Sequence, residues 1–196
     1  MDAAVMQKNS HHASEPTPQV FRQAMSSWPT GVGVLAGWDS DRRPLGLVIG
    51  SFISVSLDPM LVGFGIQRSS STWTQLRKAG RFAISFLATD QQELCWRFAS
   101  GDPKQRFQGL PYDLTPAGQP VLRRCCAWLD LTLTEEVEAG DHWLALCQVT
   151  HLHADPIKPP LAFARGRLNR LEPCHGLEPD HLERWESTLN AFQFGL

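Results

Sequence analysis

Three serines interrupt an apolar stretch of the chain, GLVIGSFISVSLDPML at 46–61. They are Ser51, Ser54 and Ser56. If the stretch is a strand, Ser54 and Ser56 point to one face and Ser51 points to the other. A buried hydroxyl group costs free energy unless it is hydrogen-bonded. The serines are therefore expected to bind either a polar ligand or the backbone of a neighbouring strand.

A second group of hydroxyl residues follows Arg68 and precedes a helical pattern of apolar residues. Its members are Ser69, Ser70, Ser71 and Thr72. The pattern predicts a helix that a hydroxyl side chain caps and that Gly80 closes. A helix start that offers N–H groups, hydroxyls and a guanidinium suits a phosphate dianion. An ordinary cap on a surface helix is the alternative, and Arg106 is a second candidate cation.

The turn Gly140-Asp141-His142 places a histidine at the tip of a predicted hairpin, where it can contact a ligand. Simple exposure to solvent is the alternative for a histidine in this position. Arg165 and Arg167 are predicted to share one face of the last strand. There they would either meet a phosphate or cover the edge of a sheet.

Neither pair of histidines predicts a metal site. His151 and His153 lie one strand step apart and Asp155 follows, but two ligands on one strand do not make a site. His11-His12 belong to a polar N-terminal segment without periodicity. No metal is therefore predicted.

The composition fits one globular domain with a substantial core, since 42% of the 196 residues are hydrophobic and 19% are charged. A net charge of -2 gives no electrostatic reason to expect nucleic acid or an anionic membrane as partner. Asp58-Pro59 argues against a membrane-spanning helix at 45–66, because proline breaks helices and a buried aspartate is costly there. Without a secretion signal or a CxxC motif, a cytoplasmic protein with reduced thiols is predicted.

Periodic patterns predict the secondary structure. Helices are expected at 20–27, at 73–80 and after a Thr89-Asp90 cap, and strands at 31–38, within 46–61, and at 61–67, 81–87, 127–134, 143–153 and 161–167. The segment 101–119 is expected to be a long irregular loop. Six or seven strands without the alternation of a parallel sheet predict a mainly β fold with helices (α+β), an antiparallel barrel. The predicted parts are a disordered tail at 1–19, a domain at 20–172 and an extension with a short helix at 173–196.

Seven segments resemble the flavin reductase-like family, the small flavin:NAD(P)H oxidoreductases with an FMN-binding split-barrel fold. They are FRQAMSSWPTGVGVLAG (21–37), GLVIGSFISVSLDPML (46–61), QRSSST (67–72), RFAISFL (81–87), GQPVLRRCCAWLDL (118–131), GDHWLALCQV (140–149) and PLAFARGRL (160–168). The resemblance implies an antiparallel split β-barrel, a homodimer with flavin at the subunit interface, and a partner monooxygenase that consumes the reduced flavin.

The resemblance also implies a set of site residues. Those for the flavin are Pro29, Thr30, Val48, Ile49, Gly50, Ser51, Ser54, Val55, Ser56, Arg68, Ser69, Ser70, Ser71, Thr72, Ser85, Phe86 and Arg106. Those for the nicotinamide are His142, which is also the candidate catalytic residue, Arg165 and Arg167. The family commonly has Thr, Ser, Pro and Asn where this chain has Val48, Gly50, Met60 and Ser85. Backbone N–H groups are expected to replace the donors lost at the first two positions.

We therefore predict an NAD(P)H-dependent flavin reductase that uses FMN or FAD, with NADH or NADPH as the hydride donor. His142 would position or hydrogen-bond the donor, because hydride transfer needs no side-chain acid beside the flavin. A flavin-binding carrier, sensor or accessory subunit without turnover is the alternative. A relative of pyridoxamine-phosphate oxidase is a further one.

Overall fold

A computed structural model of the chain describes residues 15–171. The predicted extension at 173–196, with its helix, lies outside the described residues, and so does His11-His12. Most of the predicted tail at 1–19 lies outside them as well. No helix within 15–171 has the length and apolar character needed to cross a membrane.

Three α-helices and twelve strands make up the described part of the chain. The helices are α1 (Pro18–Met25), α2 (Ser71–Ala79) and α3 (Gln92–Ala99). The strands are β1 (Thr30–Gly31), β2 (Gly33–Trp38), β3 (Pro44–Ile49), β4 (Ile53–Leu57), β5 (Met60–Gln67), β6 (Arg81–Phe86), β7 (Tyr112–Leu114), β8 (Pro120–Leu122), β9 (Ala127–Ala139), β10 (His142–Ala154), β11 (Leu161–Ala164) and β12 (Arg167–Arg170). The mainly β class with helices is therefore confirmed.

Seven strands form one antiparallel sheet in the order β3-β2-β6-β9-β10-β5-β4. Its outermost strands, β3 and β4, are consecutive in the chain, and only residues 50–52 join them. The sheet must therefore curl until its two edges approach each other at this link. No ladder of hydrogen bonds closes it within residues 15–171, so the barrel is open along one seam. Two small sheets, β1-β11-β12 and β7-β8, flank it.

The stretch at 46–61 is not one central strand, contrary to the prediction. It contributes to β3, β4 and β5, and the first two lie at opposite edges of the sheet. A β-bulge lies between Ser54, which is paired with Val62, and Ser56, which is paired with Leu61. Adjacent residues of β5 point to opposite faces, so the two serines do not share a face as the regular alternation predicted.

Two apolar clusters form the core, and β2 is buried between them. Leu35 belongs to the cluster inside the curled sheet, where Trp73 of α2 packs edge-on against Phe82 at 5.4 Å between ring centroids. Val34 faces the opposite side and belongs to the cluster that contains Phe98 of α3. Burial on both faces explains why β2 reads as a continuous apolar run.

The predicted ends of α2 are confirmed. The hydroxyl of Ser70 accepts a hydrogen bond from the N–H of Trp73 at 3.2 Å. Gly80 ends the helix in the left-handed conformation, with φ of 66°. The first helix also forms, but at Pro18–Met25, two residues before the expected range 20–27, and Thr17 caps it. Local capping signals of this kind are readable because both partners lie within one turn of chain.

The predicted Thr89-Asp90 cap of α3 is wrong. Gln91 is the N-cap residue and makes no capping bond with its side chain. The Thr89 hydroxyl instead donates to the carbonyl of Pro159 at 2.9 Å, and the Asp90 carboxylate accepts a hydrogen bond from Arg124. Both side chains are therefore used by partners that lie far away in the sequence.

Two other segments differ from the prediction. The segment 101–119 is not wholly irregular, because it contains a 3-10 turn (Pro103–Gln105) and β7. The last strand, predicted at 161–167, is divided into β11 and β12 by a turn at Arg165-Gly166. Arg165 lies in that turn with φ of 51°, and its N–H donates to the carbonyl of Ser26 at 2.7 Å. Arg165 and Arg167 therefore do not share one face of a strand.

Asp130 is buried, although it is a charged residue on β9. Only 1% of its surface is exposed. Its carboxylate accepts hydrogen bonds from the Thr115 hydroxyl at 2.5 Å and from the Ala117 N–H at 3.2 Å. His151 Nδ1 lies 3.4 Å away. The loop before β8 thus covers this carboxylate and replaces water as its hydrogen-bond partner.

Candidate functional site

A cavity of about 440 Å³ opens where the ends of β3 and β5 meet the start of α2. It is lined by residues 47–49, 65–67 and 69–72, and also by Arg106 and His142. Because β3 is an edge strand, part of its backbone N–H and C=O groups have no strand partner. The cavity is therefore bordered by backbone groups, a helix N-terminus and a cation.

The N-terminal end of α2 forms one wall of the cavity. The N–H of Trp73 is capped by Ser70, but those of Ser71 and Thr72 belong to the first helical turn and have no partner within the helix. The helix dipole adds positive potential at the same end. Together with Ser69, these residues present N–H groups and hydroxyls to the cavity, an arrangement that suits an anion such as a phosphate group.

Arg106 brings a guanidinium to the cavity from the segment after α3. Its Nη1 donates to the carbonyl of Gly46 at 2.8 Å and its Nε donates to the carbonyl of Ser100 at 3.2 Å. Its Nη2 donates to the carbonyl of Gly101 at 3.4 Å. Burial lowers the pKa of Arg106, and the nearby Asp102 partly offsets this effect. An arginine nevertheless stays charged at neutral pH, so the cavity contains a fixed cation.

Arg68 has a different environment, although it directly precedes the four hydroxyl-bearing residues at 69–72. Its guanidinium lies 5.3 Å from the ring centroid of Trp143. Its Nη1 lies 3.4 Å from the carboxylate of Glu138 and 3.5 Å from the carbonyl of Gly140. These partners belong to the β9–β10 hairpin. Arg68 therefore binds the hairpin rather than the cavity that Arg106 lines.

Ser51 and His142 lie on either side of Gly65, which lines the cavity. The hydroxyl of Ser51 accepts the N–H of Gly65 and donates to its carbonyl, both at 2.9 Å. A methyl group placed on Gly65 would lie 3.6 Å from Ser51 Oγ and 4.0 Å from His142 Cδ2. The serine hydroxyl thus binds the backbone of a neighbouring strand, which was one of the two predicted roles.

His142 begins β10 and forms a pair with its neighbour at the hairpin tip. Its Nδ1 lies 2.7 Å from Oδ1 of Asp141. The hydrogen bond to His142 and the charge of that ring lower the pKa of the Asp141 carboxyl group. Asp141 is therefore an anion at neutral pH, and its acceptor holds the Nδ1 side of the imidazole.

Residues 25–172 match the family described as flavin reductase like domain. This match covers the greater part of the chain and extends from α1 to the end of the described residues. The chain belongs to the flavin reductase-like family.

Two relatives illustrate the sequence similarity within the flavin reductase-like family. A flavin reductase from Pseudomonas putida is 40% identical over 149 residues, which are 76% of this chain and 87% of that protein. The reductase subunit HsaB of a flavin-dependent monooxygenase from Rhodococcus jostii (strain RHA1) is 34% identical over 177 residues. That alignment covers 89% of this chain and 87% of the relative.

Two solved structures share the fold. The NADH:FAD oxidoreductase SgcE6 of Streptomyces globisporus C-1027, in complex with NAD and FAD fragments, has a TM-score of 0.77 and 28% identity. The match covers 84% of this chain and 99% of the chain of that structure. The nitrilotriacetate monooxygenase component B from Mycobacterium thermoresistibile has a TM-score of 0.76 and 30% identity, over 82% of this chain and 89% of its own.

The cavity of this flavin reductase-like chain contains part of the predicted site. The predicted residues that line it are Val48, Ile49, Ser69, Ser70, Ser71, Thr72, Arg106 and His142. Thr30 and Gly50 lie beside each other just past the end of β3, because a methyl group on Gly50 would be 3.4 Å from Thr30 Oγ1. In the chain, Pro29 directly precedes Thr30, and Ser51 directly follows Gly50.

Other predicted residues lie elsewhere. Ser85 is fully buried, and its hydroxyl accepts a hydrogen bond from the N–H of Leu122 at 3.0 Å. Phe86 packs edge-on against Phe52 at 5.1 Å between ring centroids. The residues on the edge strand β4 (Ser54, Val55 and Ser56), together with Arg165 and Arg167 at the β11–β12 turn, do not line the cavity either. Within residues 15–171, no three metal-ligating side chains come together.

Sequence reasoning missed several residues of the cavity. Gly65, Ile66 and Gln67 line it from β5, and Phe98 and Ala99 line it from the end of α3. The sequence could have indicated the cavity residues of β5, because they closely precede the hydroxyl-bearing residues at 69–72. Those of α3 carried no signal, because only the tertiary packing of this helix against β3 brings its end to the cavity.

Proposed function

We propose that this chain is an NAD(P)H:flavin oxidoreductase, which transfers hydride from a nicotinamide nucleotide to FMN or FAD. We assign this activity to the domain at 20–172 and place the flavin in the 440 Å³ cavity. The observation that carries the assignment is the joining of the α2 N-terminus and Arg106 around one cavity. Both features favour a phosphate, and every flavin nucleotide has one.

The residues of the cavity fit a flavin nucleotide in two parts. The hydroxyls and N–H groups of 69–72, with Arg106, would hold the phosphate. The ends of β3 and β5 offer backbone groups and apolar surface to the rest of the ligand. The family commonly has hydroxyl side chains at the positions of Val48 and Gly50. Backbone N–H groups at the end of β3 would replace these side chains as hydrogen-bond donors to the flavin.

His142 would meet the nicotinamide, because it lines the same cavity from the hairpin tip. When bound, the flavin supplies the acceptor for the hydride, so the protein needs no catalytic acid for this step. The contribution of the chain is to hold donor and acceptor in contact, at about 3 to 3.5 Å between reacting atoms. Arg165 and Arg167 remain candidates for the nucleotide phosphates, but they would have to reach them from the β11–β12 turn.

A direct assay tests the enzyme proposal. Purified protein is mixed with FMN or FAD and with NADH or NADPH, and the nicotinamide absorbance is followed. We expect flavin-dependent oxidation of at least one donor. If flavin is retained through gel filtration and neither donor is oxidised, the protein is a flavin carrier, sensor or accessory subunit instead.

We further propose a homodimer that covers the open edge of the sheet. The strand β4 is an edge strand whose apolar side chains are exposed. The exposed fractions of Ile53, Val55 and Leu57 on β4 lie between 41% and 60%, and that of Met60 at the start of β5 is 49%. The helix α1 buries none of its residues, although it carries Phe21 and Met25. An apolar edge strand and an unpacked amphipathic helix both need a partner surface, and a second copy of this chain supplies one.

Light scattering of the Val55→Lys variant tests the homodimer. A charge at the centre of the edge strand should give a monomer, whereas Leu114→Lys makes the same change on β7 and should leave the dimer intact. A monomeric wild-type protein at working concentration would contradict the proposal. FMN affinity of the Val55→Lys monomer then reports whether the second copy completes the flavin site.

The reduced flavin is proposed to serve a separate monooxygenase. Support comes from relatives that are named as reductase subunits, such as HsaB and the stachydrine N-demethylase reductase subunit of Rhizobium meliloti. The proposal predicts that the protein, a flavin and NADH together support substrate hydroxylation by the oxygenase component of the same system. Hydroxylation that is equally fast with chemically reduced flavin would show that diffusion of flavin suffices for the transfer.

A further inference from the structure

A second cavity, of about 190 Å³, opens where β9 and β10 meet the loop before β8. It shares no lining residue with the 440 Å³ cavity, and the proposed reductase function gives it no role. Asp130 on β9 and His151 on β10 are paired in the sheet register, and both line this cavity. Gln119 lines it from the loop. The 190 Å³ cavity is therefore a separate polar site.

The side-chain amide of Gln119 leaves one acceptor unpaired in the 190 Å³ cavity. Gln119 is only 8% exposed. Its Nε2 donates to the carbonyl of Ala117 at 3.5 Å, which sets the orientation of the amide. Its Oε1 is buried and has no hydrogen-bond partner in the described part of the chain. Buried acceptors in native proteins are nearly always paired, so this oxygen indicates that the cavity receives a hydrogen-bond donor.

The carboxylate of Asp130 adds negative charge to the same cavity. Its hydrogen-bond donors, the Thr115 hydroxyl and the Ala117 N–H, are both uncharged. Nδ1 of His151 lies 3.4 Å from Oδ2, which is longer than an ordinary hydrogen bond. Buried carboxylates are usually paired with a cation, and the two oxygens together can accept about four hydrogen bonds. The buried end of the cavity therefore favours a donor that carries positive charge.

An organic ammonium group fits this buried end better than a metal ion. Within residues 15–171, no three His, Cys, Asp or Glu side chains come together to hold a metal. A primary ammonium group has three N–H donors. The cavity offers acceptors for all three, namely the Asp130 carboxylate, Oε1 of Gln119 and the hydroxyls of Thr132 and Thr150.

Arg81 adds the opposite charge at the mouth of the cavity. It lines the 190 Å³ cavity and is exposed, whereas Asp130 and Gln119 are buried. None of the ion pairs formed among the described residues includes Arg81. A guanidinium can bind a carboxylate through two parallel N–H bonds. The cavity thus combines negative charge at its buried end with positive charge at its mouth.

We propose that the 190 Å³ cavity binds a small α-amino acid in its zwitterionic form. The ammonium group lies at Asp130 and Gln119, and the carboxylate group lies at Arg81. Both charges of such a ligand are then matched, and the volume of the cavity restricts the ligand to a small side chain. The bound molecule would connect the loop before β8 to β9 and stabilise the folded protein. This site does not depend on the proposed reductase function.

Thermal unfolding with three matched probes tests the site. L-Alanine carries both charged groups, ethylamine carries only the ammonium group, and acetate carries only the carboxylate group. Calorimetric titration gives the Kd for L-alanine. At about 100 times this Kd, L-alanine should raise Tm by roughly 5 to 10 °C. Ethylamine and acetate, at the same concentration and ionic strength, should raise Tm much less, because each engages only one end of the cavity.

Two variants assign the contacts. Arg81→Gln should raise the Kd for L-alanine by about 10- to 100-fold, the effect of losing charge-assisted hydrogen bonds. Gln119→Met removes the amide oxygen but keeps the length of the side chain, and should raise the Kd by about 3- to 10-fold. Arg43→Gln makes the same charge change at an exposed position between β2 and β3, so this matched control should keep the wild-type Kd.

Three outcomes would overturn the proposal. If no probe changes Tm or produces heat on titration, the cavity contains only water, which pairs with Oε1 of Gln119. If ethylamine binds as tightly as L-alanine and Arg81→Gln leaves both affinities unchanged, the site recognises an ammonium group alone. If Arg43→Gln weakens L-alanine binding as much as Arg81→Gln does, the effect comes from the net charge of the protein and not from this cavity.

Discussion

At the scale of single residues, two arginines compete for the role of phosphate ligand, and their hydrogen bonds separate them. Arg106 lines the same cavity as the start of α2, and three carbonyl groups hold its guanidinium in place. A guanidinium has five N–H groups, so donors remain for a ligand. Arg68 is directed to Glu138 and Trp143 on the hairpin. The phosphate should therefore depend on Arg106.

We expect Arg106→Ala to weaken FMN binding by about 10- to 100-fold, the effect of losing a charge-assisted hydrogen bond. Riboflavin has no phosphate, so its affinity should change much less. Fluorescence titration of both ligands measures this difference directly. Because the comparison uses one variant protein, general damage to the loop after α3 would weaken both ligands and would be recognised as such.

The matched control is Arg68→Ala. This variant should keep the preference for FMN over riboflavin, because Arg68 does not line the cavity. If Arg68→Ala loses the preference and Arg106→Ala keeps it, the phosphate assignment is wrong. The sequence favoured Arg68 because it is adjacent to the hydroxyl residues. Arg106 could not be ranked from the sequence, since only the fold brings its loop to the start of α2.

At the scale of elements, the start of α2 is positioned by a buried anchor. Glu136 on β9 accepts a hydrogen bond from Trp73 Nε1 at 2.8 Å and forms an ion pair with Arg77 at 2.9 Å. Trp73 is 1% exposed, so its indole N–H has no access to water. The helix that carries the proposed phosphate site is thus fixed to the sheet by one carboxylate.

We expect Glu136→Ala to reduce the free energy of unfolding by about 1–3 kcal/mol, because it leaves a buried donor without a partner. Urea denaturation measures this value. Glu138→Ala removes the carboxylate that forms an ion pair with Arg68. Both side chains of this pair are about half exposed. This control should cost less than about 1 kcal/mol. Equal costs for the two variants would show that Glu136 does not anchor the helix.

The same elements show what a sequence can predict. The ends of α2 were readable, because Ser70 and Gly80 act within one turn of chain. The sequence could not show that 46–61 contributes strands to two opposite edges of the sheet. An apolar run has the same pattern whichever neighbouring strand it pairs with. The burial of Asp130 could not be predicted either, since its partners Thr115 and Ala117 come from the loop before β8.

At the scale of the whole molecule, the core contains titratable groups that the reaction does not use. The buried cysteines of the described residues are Cys95, Cys125, Cys126 and Cys147. Burial raises the pKa of all four, to about 11 for Cys125 and to about 12 for Cys147, where the charge of Glu136 adds to the effect. These thiols are therefore protonated at neutral pH and unsuited to react as thiolates.

The raised pKa values predict that the protein loses stability in alkaline solution. Above about pH 8.5 the unfolded chain releases its thiol protons, whereas the folded protein keeps them until its own higher pKa values are reached. The unfolded state then binds fewer protons, so the free energy of unfolding falls as pH rises. Each such thiol contributes up to about 1.4 kcal/mol per pH unit between its two pKa values.

Cys147→Ala should therefore flatten the alkaline part of the stability profile, because it removes the thiol with the highest of these pKa values. Urea unfolding at about pH 8 and about pH 10 should show a smaller loss of stability in the variant than in the wild-type protein, by roughly 1–2 kcal/mol. Val149→Ala removes core volume on the same strand without removing a titratable group, so it should lower both values equally. If the Cys147→Ala profile runs parallel to that of the wild type, the thiol already ionises in the folded protein near its ordinary pKa.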